Sequence, residues 1–192
     1  MFGSMKGGVG KTTLTLLTAL YLKKLEKRVG IIDFDDSEAS KFFVDYNGDE
    51  FLRMVDGDAD GLDYILIDTA PRKKGLVEVS SYLSTCNRFI LVSDTSDYAI
   101  RLGNETIDLL DEMGMKKKIL GVFTNVQSGT KRSARLSRFK SIWADRIALA
   151  ETDIPRATTI EEAVGLSGEW QDLSPTAKTY VGALVDEIIS RL

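Results

Sequence analysis

Residues 6–13 read Lys6-Gly7-Gly8-Val9-Gly10-Lys11-Thr12-Thr13, and a stretch with apolar residues at helical spacing (Leu14, Leu17, Leu20 and Leu25) follows at once. Three glycines in four positions let a backbone curl so that successive N–H groups point inward, where larger side chains would block the approach. Those donors, with the positive dipole end of a helix beginning near Lys11, suit an anion such as a phosphate group. In that setting Lys11 reaches the β- and γ-phosphates of a nucleotide, and the Thr12 hydroxyl ligates Mg²⁺. The common form of such a loop has glycine five positions before Gly10, where this chain has Met5. Instead a second lysine, Lys6, stands five residues before Lys11.

Outward from the loop, elements alternate. Val29–Phe34, Ile65–Asp68, Phe89–Val92 and Ile119–Phe123 are strand-sized apolar runs, the first two ending in acids. Between and around them Thr12–Lys27, Leu76–Leu83, Ile100–Met113, Lys131–Trp143, Ile160–Val164 and Pro175–Leu192 read as helices, and Asn47–Gly61 as an acidic, Gly-rich surface loop. Continuous apolar strands separated by helices predict an α/β fold: a doubly wound, mostly parallel sheet with helices on both faces. No long linker, repeat or low-complexity tract interrupts the chain, so residues 1–192 are expected to form a single domain. The strand feeding the loop is unusual. Only Met1–Met5 precede Lys6, and Gly3 and Ser4 are poor strand formers, so this strand is either short or begins ahead of the first residue.

Composition narrows the chemistry. Of 192 residues 43% are hydrophobic and 28% charged, a globular balance that excludes wholesale disorder. There is no histidine and one cysteine, Cys86, which excludes His-based zinc hydrolysis, Ser-His-Asp or Cys-His catalysis, and thiolate-ligated clusters. Chemistry here must use Lys, Asp, Glu, Ser, Thr, backbone N–H groups and a hard cation. Cys86 reads as a small buried hydrophobe rather than a reactive thiol. With no secretory signal and no apolar run of membrane length, the expected setting is the cytoplasm.

The loop Lys6–Thr13 resembles the deviant Walker A loop of the ParA/MinD family of P-loop ATPases, marked by the extra "signature" lysine. Ile31-Ile32-Asp33-Phe34-Asp35 is similar to that family's strand ending in Asp-x-Asp, and Asp63–Pro71 resembles its Walker B strand and switch. Ile154-Pro155 with Glu162-Ala163 resembles a later nucleotide-side loop and helix. The resemblance implies ATP and Mg²⁺ as ligands, ATP hydrolysis, and an ATP-dependent homodimer in which Lys6 crosses to the partner's phosphates. The chain departs from DNA-partitioning members in having Asp36-Ser37 where they carry Pro-Gln.

The residues support matching roles. Ligands of doubly wound sheets bind at the carboxyl ends of strands, where Asp33, Asp35 and Asp68 fall. Phosphoryl transfer to water needs a cation on the phosphates, a group that places the water, and positive charge for the transition state. Asp68 would hold Mg²⁺ through a water, Asp33 would support the metal shell, Asp35 would orient the attacking water, and Lys6 and Lys11 would supply charge. Each Asp could instead be a helix cap or turn residue. Asn125, after the strand ILGVF, either reads a base edge or sits in an ordinary strand-end turn.

The cargo is read from one dense basic segment in a chain with net charge −4: Lys131, Arg132, Arg135, Arg138 and Lys140, with Arg146 beyond. Lys131, Arg135 and Arg138 share one helical stripe, while Leu136, Phe139 and Trp143 form a neighbouring apolar one. The stripe is either a solvated face or a surface for DNA phosphates, with Arg132, Arg135, Arg138 and Lys140 as contacts. The C-terminal Val181, Leu184, Val185, Ile188 and Leu192 fit a core-docking helix better than a basic amphipathic membrane anchor. The expected function is therefore an ATP-driven switch that segregates or positions DNA, nucleoid-associated when ATP-bound and working with a small DNA-binding adaptor protein. The alternatives are a MinD-like positioning ATPase for a protein or membrane cargo, a dethiobiotin-synthetase-like enzyme, and a scaffold that binds ATP without hydrolysis.

Overall fold

A computed structural model describes residues 1–35, 38–56, 59–127, 129–156, 160 and 169–192, with the backbone alone at Thr130 and Arg132. The strands are β1 (Phe2–Gly3), β2 (Val29–Asp33), β3 (Leu52–Met54), β4 (Tyr64–Asp68), β5 (Phe89–Asp94), β6 (Ile119–Thr124) and β7 (Ala148–Leu149). The helices are α1 (Lys11–Lys24), α2 (Ala39–Asn47), α3 (Arg72–Glu78), α4 (Ser80–Leu83), α5 (Asp97–Glu112), α6 (Thr130–Ala144) and α7 (Pro175–Ser190). The seven strands form one sheet in the order β3-β2-β4-β1-β5-β6-β7, and every pair in it is parallel.

Each central strand divides its side chains between two apolar layers, because successive residues point to opposite faces. On β5, Ile90 and Val92 join Leu14, Leu17 and Leu20 of α1 and Val181, Leu184 and Val185 of α7. Phe89 and Leu91 turn the other way, toward Leu76, Ile107, Leu110, Phe139 and Trp143 on α3, α5 and α6. Helix α1 is buried along most of its length, since the sheet covers one side and α7 and α2 lie against it elsewhere. Each fully buried leucine there contributes about 1.5–3 kcal/mol, so packing rather than intrinsic propensity holds this helix. The basic helix has the two stripes expected: Phe139 and Trp143 are buried, while Lys131, Arg135 and Arg138 are exposed.

Several boundaries differ from the sequence reading. The loop expected over Asn47–Gly61 contains β3, whose Leu52 fills the core beside β2. Helix α2, not foreseen, packs Phe43 and Val44 inward. The helix expected over Leu76–Leu83 starts earlier, after Pro71, and breaks at Val79 into α3 and α4. Leu192 lies past the end of α7 and is exposed, whereas Val181, Leu184, Val185 and Ile188 dock as expected. Cys86 is partly buried beside the second apolar layer. Of the helix expected over Ile160–Val164 only Ile160 is described, and Asp36-Ser37 and Glu162-Ala163 lie outside the described residues.

The strand that feeds the glycine-rich loop is two residues long and central. Phe2 is in register with Asp68 of β4 and Ile90 of β5, and Gly3 with Leu91. The first four residues of β4 thus pair with β2 and not with β1. Near them an apolar cavity of about 920 Å³ is lined by Ile65, Leu66, Ile90, Val185 and Ile188, among others, and shares no residue with the loop at Gly7–Thr13. Among the described residues, no helix is long and apolar enough to cross a membrane.

Candidate functional site

Sheet order alone brings the acidic strand ends to the loop. β1 stands between β4 and β5, so the turn that leaves it emerges where the order of strands reverses. Asp33 closes β2 and Asp68 closes β4, and the two are in register. Phe34 N–H then donates to the Asp68 carbonyl at 3.0 Å, and Asp35 N–H donates to Asp33 Oδ1 at 2.8 Å, which folds the Asp-x-Asp segment back over the strand ends. On the loop side Arg72 N–H donates to the Met5 carbonyl at 2.9 Å and Thr69 N–H to that of Phe2 at 3.2 Å. The segment after β4 is therefore tied to the start of the loop.

The loop is built to accept an anion. Gly8 and Gly10 have φ of +72° and +93°, left-handed values that other residues rarely adopt. Gly10 is also the N-cap of α1, and no side chain caps that helix, so its first N–H groups remain available for a ligand. The Thr124 hydroxyl, at the end of β6, donates to the Val9 carbonyl at 2.6 Å and so pins the crest of the loop to the sheet. Thr124 is 4% exposed, which shields this bond from competing water.

Charge inside the site is poorly solvated. Lys11 is 5% exposed, and burial pushes its pKa down against the pull of Asp68 and Asp35. Burial raises the Asp68 carboxyl from 3.8 to about 7; the Thr12 hydroxyl and Lys11 oppose that rise, while Asp33 and Asp35 add to it. Both Asp68 oxygens are buried, and beyond the neighbouring Thr12 hydroxyl no described group satisfies them. A carboxylate left so is costly unless something cationic completes it. Mg²⁺ fits that need, since it is commonly held by one or two carboxylates with substrate phosphates rather than by an all-protein cage. No group of three His, Cys, Asp or Glu side chains able to hold a metal occurs among the described residues.

On the far side of the loop Asn125, with φ +54°, lines a cavity of about 210 Å³ together with Gly8, Val9, Gly10, Thr13, Thr124, Ile154 and Pro155. The wall is made by chain pairing: Val126 N–H donates to the Ile154 carbonyl at 3.1 Å and Arg156 N–H to that of Val126 at 2.8 Å. Lys6, Lys11, Thr12, Thr13, Asp33, Asp35, Asp68 and Asn125 are all brought to one end of the sheet. The basic helix α6 starts just beyond Asn125, at the same end of the sheet. There Arg135 pairs with Asp97 at 3.0 Å and Lys140 with Asp153 at 2.7 Å, whereas Arg138 is exposed. The side chain of Arg132 lies outside the described set.

Sequence reasoning passed over Asp94 and Ser96, which hold the Lys6 ammonium: it pairs with Asp94 and lies 3.1 Å from Ser96 Oγ. The available signal was that Asp94 ends an apolar strand as Asp33 and Asp68 do. Thr124 carries no local signal either: the contact that matters, with Val9 across 115 positions of chain, cannot be read from local pattern.

A parallel sheet flanked by helices, with a glycine-rich phosphate loop at its central strand and acids at the flanking strand ends, defines a nucleotide-binding P-loop protein. Residues 1–165 match the CobQ/CobB/MinD/ParA nucleotide-binding domain, and the chain belongs to that family. Solved structures share the fold. The MinD cell division protein of Aquifex aeolicus is 20% identical, with all of this chain and 96% of that one covered at a TM-score of 0.75. A putative plasmid partition protein from Borrelia burgdorferi, bound to AMPPNP, is 15% identical, with coverage of 100% and 98% and a TM-score of 0.76. The pNOB8 ParA bound to nonspecific DNA is 16% identical, with coverage of 100% and 98% and a TM-score of 0.61. No curated protein sequence matches the chain.

Proposed function

We propose that residues 1–192 form one deviant Walker A ATPase domain that binds ATP with Mg²⁺, dimerises on ATP, and hydrolyses it as a switch in the segregation or positioning of DNA. The observation that carries the nucleotide reading is the buried Asp68 carboxylate, satisfied only by the Thr12 hydroxyl, behind an uncapped helix N-terminus and Lys11. The N–H groups of Gly7–Thr13 grip the phosphates, and Lys11 neutralises the β- and γ-phosphates. Thr12 and Asp68 would hold Mg²⁺, Asp68 through a water, with Asp33 behind them; the ion when bound supplies positive charge across the phosphates. Asp35 orients the attacking water and accepts its hydrogen bond. Lys6 reaches the partner's phosphates and supplies transition-state charge. Asn125 faces the base across the small cavity beside the loop.

The DNA reading is supported by the exposed Lys131 and Arg138 and by the nonspecific DNA held by the pNOB8 protein of similar fold. Arg132, Arg135 and Lys140 complete the proposed contact, and dimerisation would set two such faces on one particle and raise avidity. A small DNA-binding adaptor protein is the proposed further partner. Calorimetry and turnover assays test the core of this reading. Lys11→Ala should abolish Mg-ATP binding, while Asp35→Ala should bind normally and lose turnover. Light scattering should show an ATP-dependent dimer that Lys6→Ala abolishes. Wild-type ATP affinity in Lys11→Ala would overturn the site assignment.

A further inference from the structure

Lys6 is not free to leave its own subunit at no cost. Its ammonium is bonded to Asp94 and approaches Ser96 Oγ at 3.1 Å, and the Lys6 and Asp94 side chains keep only 22% and 17% of their exposure. Asp94 is itself fixed: its Oδ1 accepts from Ser96 N–H at 2.8 Å, and Ser96 Oγ caps the 16-residue α5 by accepting from Ala99 N–H at 3.2 Å. The partner of Lys6 is therefore part of a helix cap rather than a loose surface carboxylate. An ammonium so engaged has its charge neutralised and two of its three N–H bonds directed inward. It cannot present that charge to a second phosphate group without giving up Asp94.

Resting on the reading that Lys6 serves the partner's nucleotide, we propose that Asp94 is a positioning residue that holds Lys6 within its own subunit, and that its release sets how readily the ATP dimer forms. Both subunits must break this pair on association. The bond is charge-assisted and largely withdrawn from water, where such bonds outlast exposed ion pairs. Asp94 thereby keeps the nucleotide-free and monomeric protein from presenting a bare cation at its loop mouth, and makes association depend on phosphates able to outbid a fixed carboxylate.

The test measures dimer dissociation by sedimentation or light scattering over a dilution series, with ATP, in an Asp35→Ala background that blocks turnover. Asp94→Asn keeps an acceptor for Ser96 N–H but removes the charge, and should tighten the dimer about tenfold or more, because two charge-assisted bonds per dimer become neutral ones. Asp94→Glu, which retains the charge, should behave like the parent. Asp94→Asn should not restore a dimer to the Lys6→Ala protein, as it would if Asp94 acted on association by a route other than Lys6. A dimer that is unchanged or weaker in Asp94→Asn, while the parent dimerises with ATP, overturns this proposal and leaves the ATPase reading intact. A parent that stays monomeric with ATP overturns both.

Discussion

Replacing Asp68 with Asn isolates the energetic cost of the buried carboxyl. Its pKa lies near 7 in the fold, against 3.8 unperturbed, with desolvation as the main cause. Moving a carboxyl that far makes ionising it inside the protein cost about 4 kcal/mol. Because the folded pKa is raised, the folded state binds the extra proton between about pH 4 and 7. The stability associated with that proton is fully present below the unfolded pKa and is lost as pH rises through the folded one. Urea unfolding of the nucleotide-free protein, in chelator, should therefore show wild type losing ground to Asp68→Asn as pH rises. The gap should widen by about 3 kcal/mol between pH 5 and pH 8, since roughly two pH units of that interval lie below the folded pKa. Any constant cost of the new amide cancels in this comparison. With Mg-ATP added the order should reverse at pH 8, because only the wild type has a carboxylate to complete the cation. A gap that stays constant across the pH range would refute the argument, and with it the claim that the buried Asp68 carboxylate needs a cation to complete it.

Three further outcomes follow from the same geometry. Thr124→Val removes the bond to the Val9 carbonyl while keeping the side chain's shape, so ATP affinity should fall about tenfold with little change in the base-side cavity, as calorimetry would reveal. Arg135→Glu with Arg138→Glu should weaken DNA binding equally for all sequences and leave ATP affinity intact; equal gel shifts by wild type and variant at low salt would remove DNA from the reading. DNA binding by the ATP-locked dimer should also fall steeply with salt, log affinity dropping about 0.9 per phosphate neutralised on each decade of salt.

How much of this was legible beforehand depends on how local each cause is. The phosphate loop was readable because glycine spacing, Lys11 and Thr12 act within eight consecutive residues, and left-handed φ at Gly8 and Gly10 is a property of glycine itself. The parallel sheet was readable because strands buried on both faces must be continuously apolar, as Phe89–Val92 and Ile119–Phe123 are. Short elements escaped: β3 and β7 span three and two residues and owe their form to the neighbours they pair with, not to any pattern of their own. The ionic state of the site was equally out of reach. Nothing in a string of residues tells that Asp68 is sealed from water, that Lys6 closes on an aspartate 88 positions away, or that Arg135 and Lys140 already have carboxylate partners. Desolvation and long-range pairing are set by what the fold stacks around a group. The sequence by itself determined which chemistry the chain can attempt; only the tertiary structure decided which of its charges are sealed in, which are matched, and which remain available to a ligand.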